Sequence, residues 1–239
     1  MRYMAVVSYD GSIYNGFQRQ NNGLGIQEVI EKAFRLMTQT EIKIHSAGRT
    51  DKGVHAIGQV FHFDSNLNME TSDWLRVNDR LPLDIRIKKI KKVKSDFHAR
   101  HSAKSKIYKY VVAKNPSTVF SKNYEVFIKN LDIEPIKTAI YDFVGTHDFK
   151  GFSQLVKDKP TIKTIYNVAI KESKKHYTFI FHGNSFLKYM VRSMMGTLIQ
   201  IGLGKKDPSA IKEIFETNDR SLAGKTADAR GLFLVKIFY

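Results

Sequence analysis

Stretches of the chain in which apolar and polar residues alternate give way to stretches with a period near 3.6, and the exchange then repeats. Residues 3–9, 57–63, 107–113, 177–182 and 232–239 alternate, as a strand with one face toward a core requires. Residues 85–94 and 162–171 carry weaker versions of the same pattern. Ile26, Val29, Ile30, Ala33, Phe34 and Met37 fall on one helical face, with Glu28 and Lys32 paired one turn apart. Ile136, Ala139, Ile140 and Phe143 predict a second helix that stops at Gly145. Leu187, Met190, Val191, Met194, Leu198 and Ile201 predict a third, ending near Gly202, in which Met190, Met194 and Met195 read as core filler. A short fourth starts at Asp207-Pro208, a cap followed by a first-turn proline, and presents Ile211, Ile214 and Phe215.

Strands and helices therefore alternate in two comparable halves, which predicts an α+β fold of two lobes. The division falls near residue 104, giving an N-terminal lobe over 1–104 and a C-terminal lobe over 105–239. No internal repeat relates the halves, and no glycine- or proline-rich linker separates them.

Charge changes the picture more than composition does. The 239 residues hold 39 Lys+Arg against 23 Asp+Glu, a net charge of +16. An excess of that size concentrates polyanions and points to a nucleic acid or an anionic membrane surface. No apolar run is long enough to span a bilayer, and the start from Met1 to Asp10 lacks the apolar core of a signal peptide, so a cytoplasmic protein without a membrane role is expected. The absence of cysteine excludes disulfides and thiolate metal sites. His98 and His101 stand three apart with no third ligand evident, and no metal is expected.

Two basic stretches differ in what they allow. Lys88, Lys89, Lys91, Lys92 and Lys94 alternate with Ile90 and Val93, as a solvated strand face does and as a row of phosphate contacts would. From Phe97 to Tyr110, cations are interleaved with aromatic rings that can stack on an unpaired base. Strand alternation puts Tyr108 and Tyr110 on one face and Lys109 on the other.

The stretch Ser46-Ala47-Gly48-Arg49-Thr50-Asp51-Lys52-Gly53-Val54-His55-Ala56 sets one acid among two glycines and two cations, between two strand-like segments. Its residue types are those of a polar turn. They are also those of a positioned carboxylate, kept ionised by a guanidinium a few ångströms away and able to act as a nucleophile. The second reading expects Arg49 to hold Asp51.

Five separated motifs then occur in the order in which one enzyme family carries them. They are Tyr9-Asp10-Gly11 with Tyr14-Asn15-Gly16-Phe17-Gln18-Arg19-Gln20, the stretch Ala47 to Ala56, Phe97-His98-Ala99-Arg100 leading into Tyr108-Lys109-Tyr110, Gly145-Thr146-His147-Asp148-Phe149, and Phe186-Leu187-Lys188-Tyr189-Met190-Val191-Arg192. Gly231-Leu232-Phe233-Leu234 before Tyr239 also fits. Over essentially its whole length the chain resembles the tRNA pseudouridine synthase A family. The resemblance implies an α+β pseudouridine synthase fold whose two lobes share a central sheet with the active cleft between them. It also implies a homodimer and a reaction without cofactor or metal, in which uridines at positions 38 to 40 of the tRNA anticodon arm become pseudouridine.

The same resemblance makes Asp51 the catalytic carboxylate, with Arg49 and Arg192 as the active-site arginines and Tyr108 as the pocket tyrosine. Arg19, Arg100, Gln18, Lys52 and His55 are the candidate substrate contacts, Arg19 and Arg100 as cations for phosphates, while Gln18 equally fits a residue that only shapes its loop. The chain departs from the family pattern at Lys106, His101 and Asp228, where Arg, Phe and Pro are usual. Lysine keeps the charge but loses bidentate geometry, and Asp228 is expected to loosen a turn. A family paralogue acting on other RNA uridines and a non-catalytic RNA-binding protein are the alternatives. Against a pure binder stands Asp51 itself, since a carboxylate facing a polyanion repels it.

Overall fold

The computed structural model describes residues 1–154 and 160–239. In chain order the elements are β1 (Arg2–Tyr9), α1 (Ile26–Thr38), β2 (Ile44–Ser46), β3 (His55–Asp64), α2 (Thr71–Trp74), β4 (Ile85–Val93), β5 (Ser105–Ala113), β6 (Val126–Phe127), α3 (Glu134–Ala139), β7 (Gly145–Asp148), β8 (Ile162–Glu172), β9 (His176–Gly183), α4 (Met190–Gly202), α5 (Ala210–Thr217) and β10 (Leu232–Phe238). The fold is mixed α+β with mostly antiparallel strands, as the alternation of periods predicts. The chain forms two compact units, Met1–Lys104 with Phe233–Tyr239, and Ser105–Leu232. The last strand thus belongs almost wholly to the first unit, whereas the reading of the sequence assigns it to the second lobe.

In the first unit β1 lies between β3 and β4, antiparallel to both, with Tyr3 opposite Phe63 and Met4 opposite Lys91. Along one edge of β3 run antiparallel β2 and parallel β10, the latter pairing Phe233 with His55 and Leu234 with Ala56. α1 presents Ile26, Ile30, Ala33 and Phe34 to the core, one residue per turn or so on a single face. Phe34, Phe61, Phe63, Trp74 and Tyr3 form one aromatic cluster, with Phe34 5.0 Å from Phe63 and Trp74 5.1 Å from Phe63, ring centre to ring centre. All five are fully buried, so emptying the Phe34 site to alanine costs about 3–5 kcal/mol. β4 is the outer strand in this order, and its exposed Lys88, Lys89, Lys91 and Lys92 make that edge unattractive to a further strand.

The second unit is an antiparallel run β5-β9-β8-β7, with the short β6 parallel beside β5. Tyr108 of β5 faces Phe181 of β9, and Tyr110 faces Phe179 two residues along, so the two tyrosines do share a face. α4 is apolar around most of its girth and is buried accordingly, Met190, Met194 and Met195 among its core residues. The segment after α5 crosses α4 backbone to backbone. A Cβ at Gly196 would lie 1.9 Å from the Lys225 carbonyl oxygen, and the Gly224 N–H donates to Thr197 Oγ1 at 2.9 Å. Only a residue without a side chain admits that approach.

Three boundaries move from the periodicity. α4 begins at Met190, because Tyr189 takes the left-handed conformation at φ 62° and detaches Leu187 from the helix. The second predicted helix is α3 followed by a 3-10 turn, Ile140–Phe143. α5 begins at Ala210, after a turn in which Asp207 Oδ1 accepts the Ser209 N–H.

Candidate active site

Asp51 sits on the connection from β2 to β3, and the start of that connection is tied twice to β3. The Ala47 N–H donates to the Val60 carbonyl at 2.8 Å, and Gln59 Nε2 donates to the Gly48 carbonyl at 2.8 Å. Thr50 turns inward, its hydroxyl sharing a 2.8 Å hydrogen bond with that of Tyr9. Burial pushes the Tyr9 phenol above the usual tyrosine range, so it stays a neutral partner. The Phe17 N–H donates to the Thr50 carbonyl at 3.1 Å, and the Val54 N–H closes a tight turn onto the Asp51 carbonyl at 3.1 Å.

Gly16 is what lets Phe17 reach Thr50. Its φ is +88°, and a Cβ there would lie 2.7 Å from the Thr50 carbonyl oxygen. The residues on either side of inward-pointing Thr50 are left outward, Arg49 exposed and Asp51 half-buried. The Tyr9 and Gly16-Phe17 motifs therefore act structurally, by setting the backbone under Asp51.

Arg49 does not form the expected pair. No hydrogen bond or ion pair of its side chain is found among the described residues, because Thr50 takes the inward position and leaves Arg49 in solvent. Lys52 is exposed on the same turn. His55 is buried and stacked on Phe233 at 4.6 Å, with Nδ1 3.1 Å from both the Gly11 nitrogen and Asp10 Oδ1. A ring so enclosed braces the turn from beneath rather than meeting a ligand from solvent.

Gln18 and Arg19 follow directly on Phe17 and are exposed. Arg19 donates to Glu31 Oε2 of α1 at 2.9 Å, a pair whose arginine is largely in water. The Gln20 amide donates to the Asn15 carbonyl and so closes its own loop. Arg100 is exposed in the turn after β4, where its N–H donates to His98 Nδ1 at 3.1 Å. His98, His62, His45 and His101 cluster in that region, His45 stacked on His62, and His98 4.6 Å edge-on from His62 and 4.3 Å, tilted, from His101. The Ala99 N–H donates to His62 Nδ1, so a neutral His62 carries its proton on Nε2. Desolvation, with the neighbouring His98, His45 and Arg2, lowers the His62 pKa to about 4.

The remaining residues belong to the second unit. Tyr108 is half-buried, its ring meeting Phe186 edge-on at 4.9 Å. Arg192 lies in the first turn of α4. Its Nε donates to the Ala227 carbonyl at 2.7 Å, the Ala227 N–H returns a bond to the Arg192 carbonyl at 3.0 Å, and the guanidinium carbon lies 5.1 Å from the Tyr189 ring centre. Asp228 does not loosen its turn. Oδ1 accepts the Arg230 N–H at 3.1 Å and caps the short 3-10 turn Ala229–Gly231, and its carbonyl accepts the Tyr110 hydroxyl at 2.8 Å. His101 packs its ring, tilted, against His98 where a phenylalanine is usual.

A family model described as tRNA pseudouridine synthase matches residues 5–102 and 139–239. The chain belongs to that family. Asp51, Arg49 and Arg192 fall inside the matched segments, and Tyr108 falls between them. Curated relatives named tRNA pseudouridine synthase A align from end to end. The one from Phytoplasma mali is 43% identical over 99% of this chain and 98% of its own. The one from Streptococcus thermophilus is 42% identical over 100% and 99%, and the one from Aster yellows witches'-broom phytoplasma 39% over 99% and 98%. The family is one of isomerases. Among solved structures, a Cbf5-Nop10-Gar1 complex aligns over 97% of this chain and 57% of its own at 10% identity and a TM-score of 0.38, a likeness too slight to add to the sequence relationship. Among the described residues no helix is long and apolar enough to cross a membrane, and no cluster of His, Cys, Asp or Glu could hold a metal ion.

Proposed function

We propose that the chain isomerises uridine to pseudouridine at positions 38 to 40 of the tRNA anticodon arm, with the Asp51 carboxylate as the reacting group. The observation that carries the reading is the seat of Asp51: a half-buried acid in a protein of net charge +16, on a turn secured by β3, Phe17 and Tyr9. A binder of polyanions gains nothing from a rigidly placed carboxylate. A catalyst does, because a misplacement of about 1 Å costs about a hundredfold in rate.

The reaction breaks the C1′–N1 bond, turns the base, and forms C1′–C5. The hydrogen leaves C5, and N1 gains one, so the product is an isomer of the substrate. Asp51 serves either as a nucleophile, at C1′ or at C6, or as a base at C2′. Arg192 and Arg49 supply the guanidinium groups of the site, and Tyr108 stacks on the uracil and offers its hydroxyl for proton transfer at C5. Taking the uridine out of its stack costs a few kcal/mol, met by phosphate contacts from exposed cations such as Arg19, Arg100 and Lys52. The protein works in the cytoplasm as a homodimer in this reading.

Unmodified tRNA carrying tritium at uridine C5 tests the assignment. The parent protein should release tritium and Asp51→Asn none, with tRNA binding retained. Equal release from both would remove Asp51 from the chemistry, and binding without release from either would favour the RNA-binding alternative. Mapping the modified positions separates the anticodon arm from other uridines. Tyr108→Phe should lose far more rate than affinity, since stacking survives and the hydroxyl does not. An unchanged rate would leave the hydroxyl without a part.

A further inference from the structure

The connection from β5 to β6 lifts two apolar side chains into solvent, Val119 at 72% and Phe120 at 89% exposure, with Tyr124 at 42% on the same loop. Single exposed apolar residues are common on protein surfaces. This loop is unusual in being braced to keep them there. Thr118 and Ser121 bond across the turn in both directions, the Thr118 N–H to Ser121 Oγ at 3.0 Å and the Ser121 N–H to Thr118 Oγ1 at 3.2 Å. The Lys122 N–H donates to the Thr118 carbonyl and the Tyr124 N–H to the Ser121 carbonyl. Ser121 Oγ also donates to Glu125 Oε1 at 2.6 Å, and Glu125, itself buried, meets His176 of β9 through Oε2. The polar groups of Thr118 and Ser121 are thus taken up in holding the turn's shape, and the tip presents a ring and a branched side chain.

The charge around the tip indicates what the ring is for. Lys122 follows within the turn, and Arg230 Nη1 reaches the Lys122 carbonyl at 3.5 Å. Lys174 and Lys175 stand exposed in the β8–β9 turn, whose Lys175 carbonyl accepts the Lys114 N–H at the root of the loop. The nearby acids are engaged, Glu125 with His176 and Ser121, and Glu172 with Lys114. An exposed aromatic among exposed cations is the pairing by which proteins hold unpaired nucleotides, the ring stacking on a base while cations meet the phosphates.

We infer that Phe120 is a stacking platform for an unpaired base of the bound RNA, a contact separate from the Asp51 site. This rests on the reading of the chain as an enzyme acting on tRNA. A pre-braced loop loses little freedom when it binds, so the stacked ring contributes to affinity rather than to ordering.

Phe120 can be replaced without disturbing the core, and the full-length protein serves for the test. Phe120→Ala should weaken tRNA binding about tenfold, Phe120→Leu nearly as much, and Phe120→Tyr hardly at all, because the π-face and not mere hydrophobicity is required. Phe120→Trp gives a direct signal, since the native Trp74 is fully buried and supplies a constant background. Its emission should be quenched by a short single-stranded oligonucleotide and not by a blunt duplex. If tRNA binds the parent and Phe120→Ala equally, or leucine serves as well as phenylalanine, the inference fails alone. If Phe120→Ala changes the sedimentation of the free protein and leaves RNA affinity unchanged, the tip packs against protein and the inference fails. If the parent binds no tRNA, the functional reading fails and takes this contact with it.

Discussion

Asp51 and Arg192 are seated by opposite means. The aspartate rides on a turn whose position is decided by the backbone: Thr50 and Asp51 carbonyls accept main-chain bonds from Phe17 and Val54, and Gly16 lies against the Thr50 carbonyl. Its side chain has two torsions, so placing the backbone all but places the carboxylate. Arg192 stands on a regular helix, and its long side chain has too many torsions for the backbone to aim it. There the side chain itself is pinned, Nε to the Ala227 carbonyl, with the Tyr189 ring alongside. A short side chain can be placed by the fold, whereas a long one needs a dedicated hydrogen bond.

The main-chain seat of Asp51 is most vulnerable at Gly16. Gly16→Ala puts a methyl group 2.7 Å from the Thr50 carbonyl oxygen at a φ of +88°, and kcat/KM should fall about a hundredfold with tRNA affinity little changed. An unchanged rate would show that the main-chain seat does not matter.

Acid should loosen the first unit before the second. His62 has a folded pKa of about 4 against about 6.5 for an unfolded histidine, so between those values the unfolded chain binds the extra proton. No stability is lost above about pH 6.5; from there down to about 4 it falls, by about 2 kcal/mol at pH 5. In the second unit, burial works against ionising Glu125, but its bonds to Ser121 and His176 outweigh that and hold it below the usual carboxylate range, so its loss comes only in stronger acid. Hydrogen exchange at pH 7.5 and 5 should show amides of β1 and β3 opening first. Equal opening of β5 and β9 would contradict this, and His62→Gln should flatten the profile.

At Arg192 the effect should be smaller and of another kind. Arg192→Lys cannot bond Ala227 and present a forked donor at once, so kcat should drop about tenfold with an unchanged melting temperature. A drop in melting temperature as large as the rate loss would make Arg192 a packing residue. The smallest effect is expected at Tyr9→Phe. Losing the Thr50 bond costs about 1 kcal/mol in urea unfolding and leaves the rate nearly intact, because the main-chain bonds remain.

How much of this could be read from the chain depended on whether a feature is local. β1, β5, β9 and α1 are spelled out by their own periodicity, each with one face in a core, and β3 likewise shows a period although both of its faces are buried. β2, β6 and β7 are two to four residues long, too short to show a period, and exist because longer strands pair with them. Leu187 continues the apolar spacing of α4 without being helical, since spacing cannot reveal the left-handed Tyr189. Asp51 was legible as a candidate from its neighbours. That Arg49 would stand in solvent was not, because it follows from Thr50 pairing with Tyr9 across 41 residues. The burial of His55 on Phe233 was hidden for a related reason: it depends on a strand that lies far along the chain and not on the residues beside it.

The parallel pairing of β10 with β3, Phe233 to His55 and Leu234 to Ala56, has a consequence for how the protein is made. The strand that carries His55 at the foot of the Asp51 turn acquires this neighbour only after all of Ser105–Leu232 has been synthesised. On the ribosome the first unit emerges early but stays one strand short, with an edge of β3 open. The scaffold under the Asp51 turn is therefore completed only when the last stretch is translated, and a nascent chain stalled before Phe233 carries that turn on an unfinished sheet.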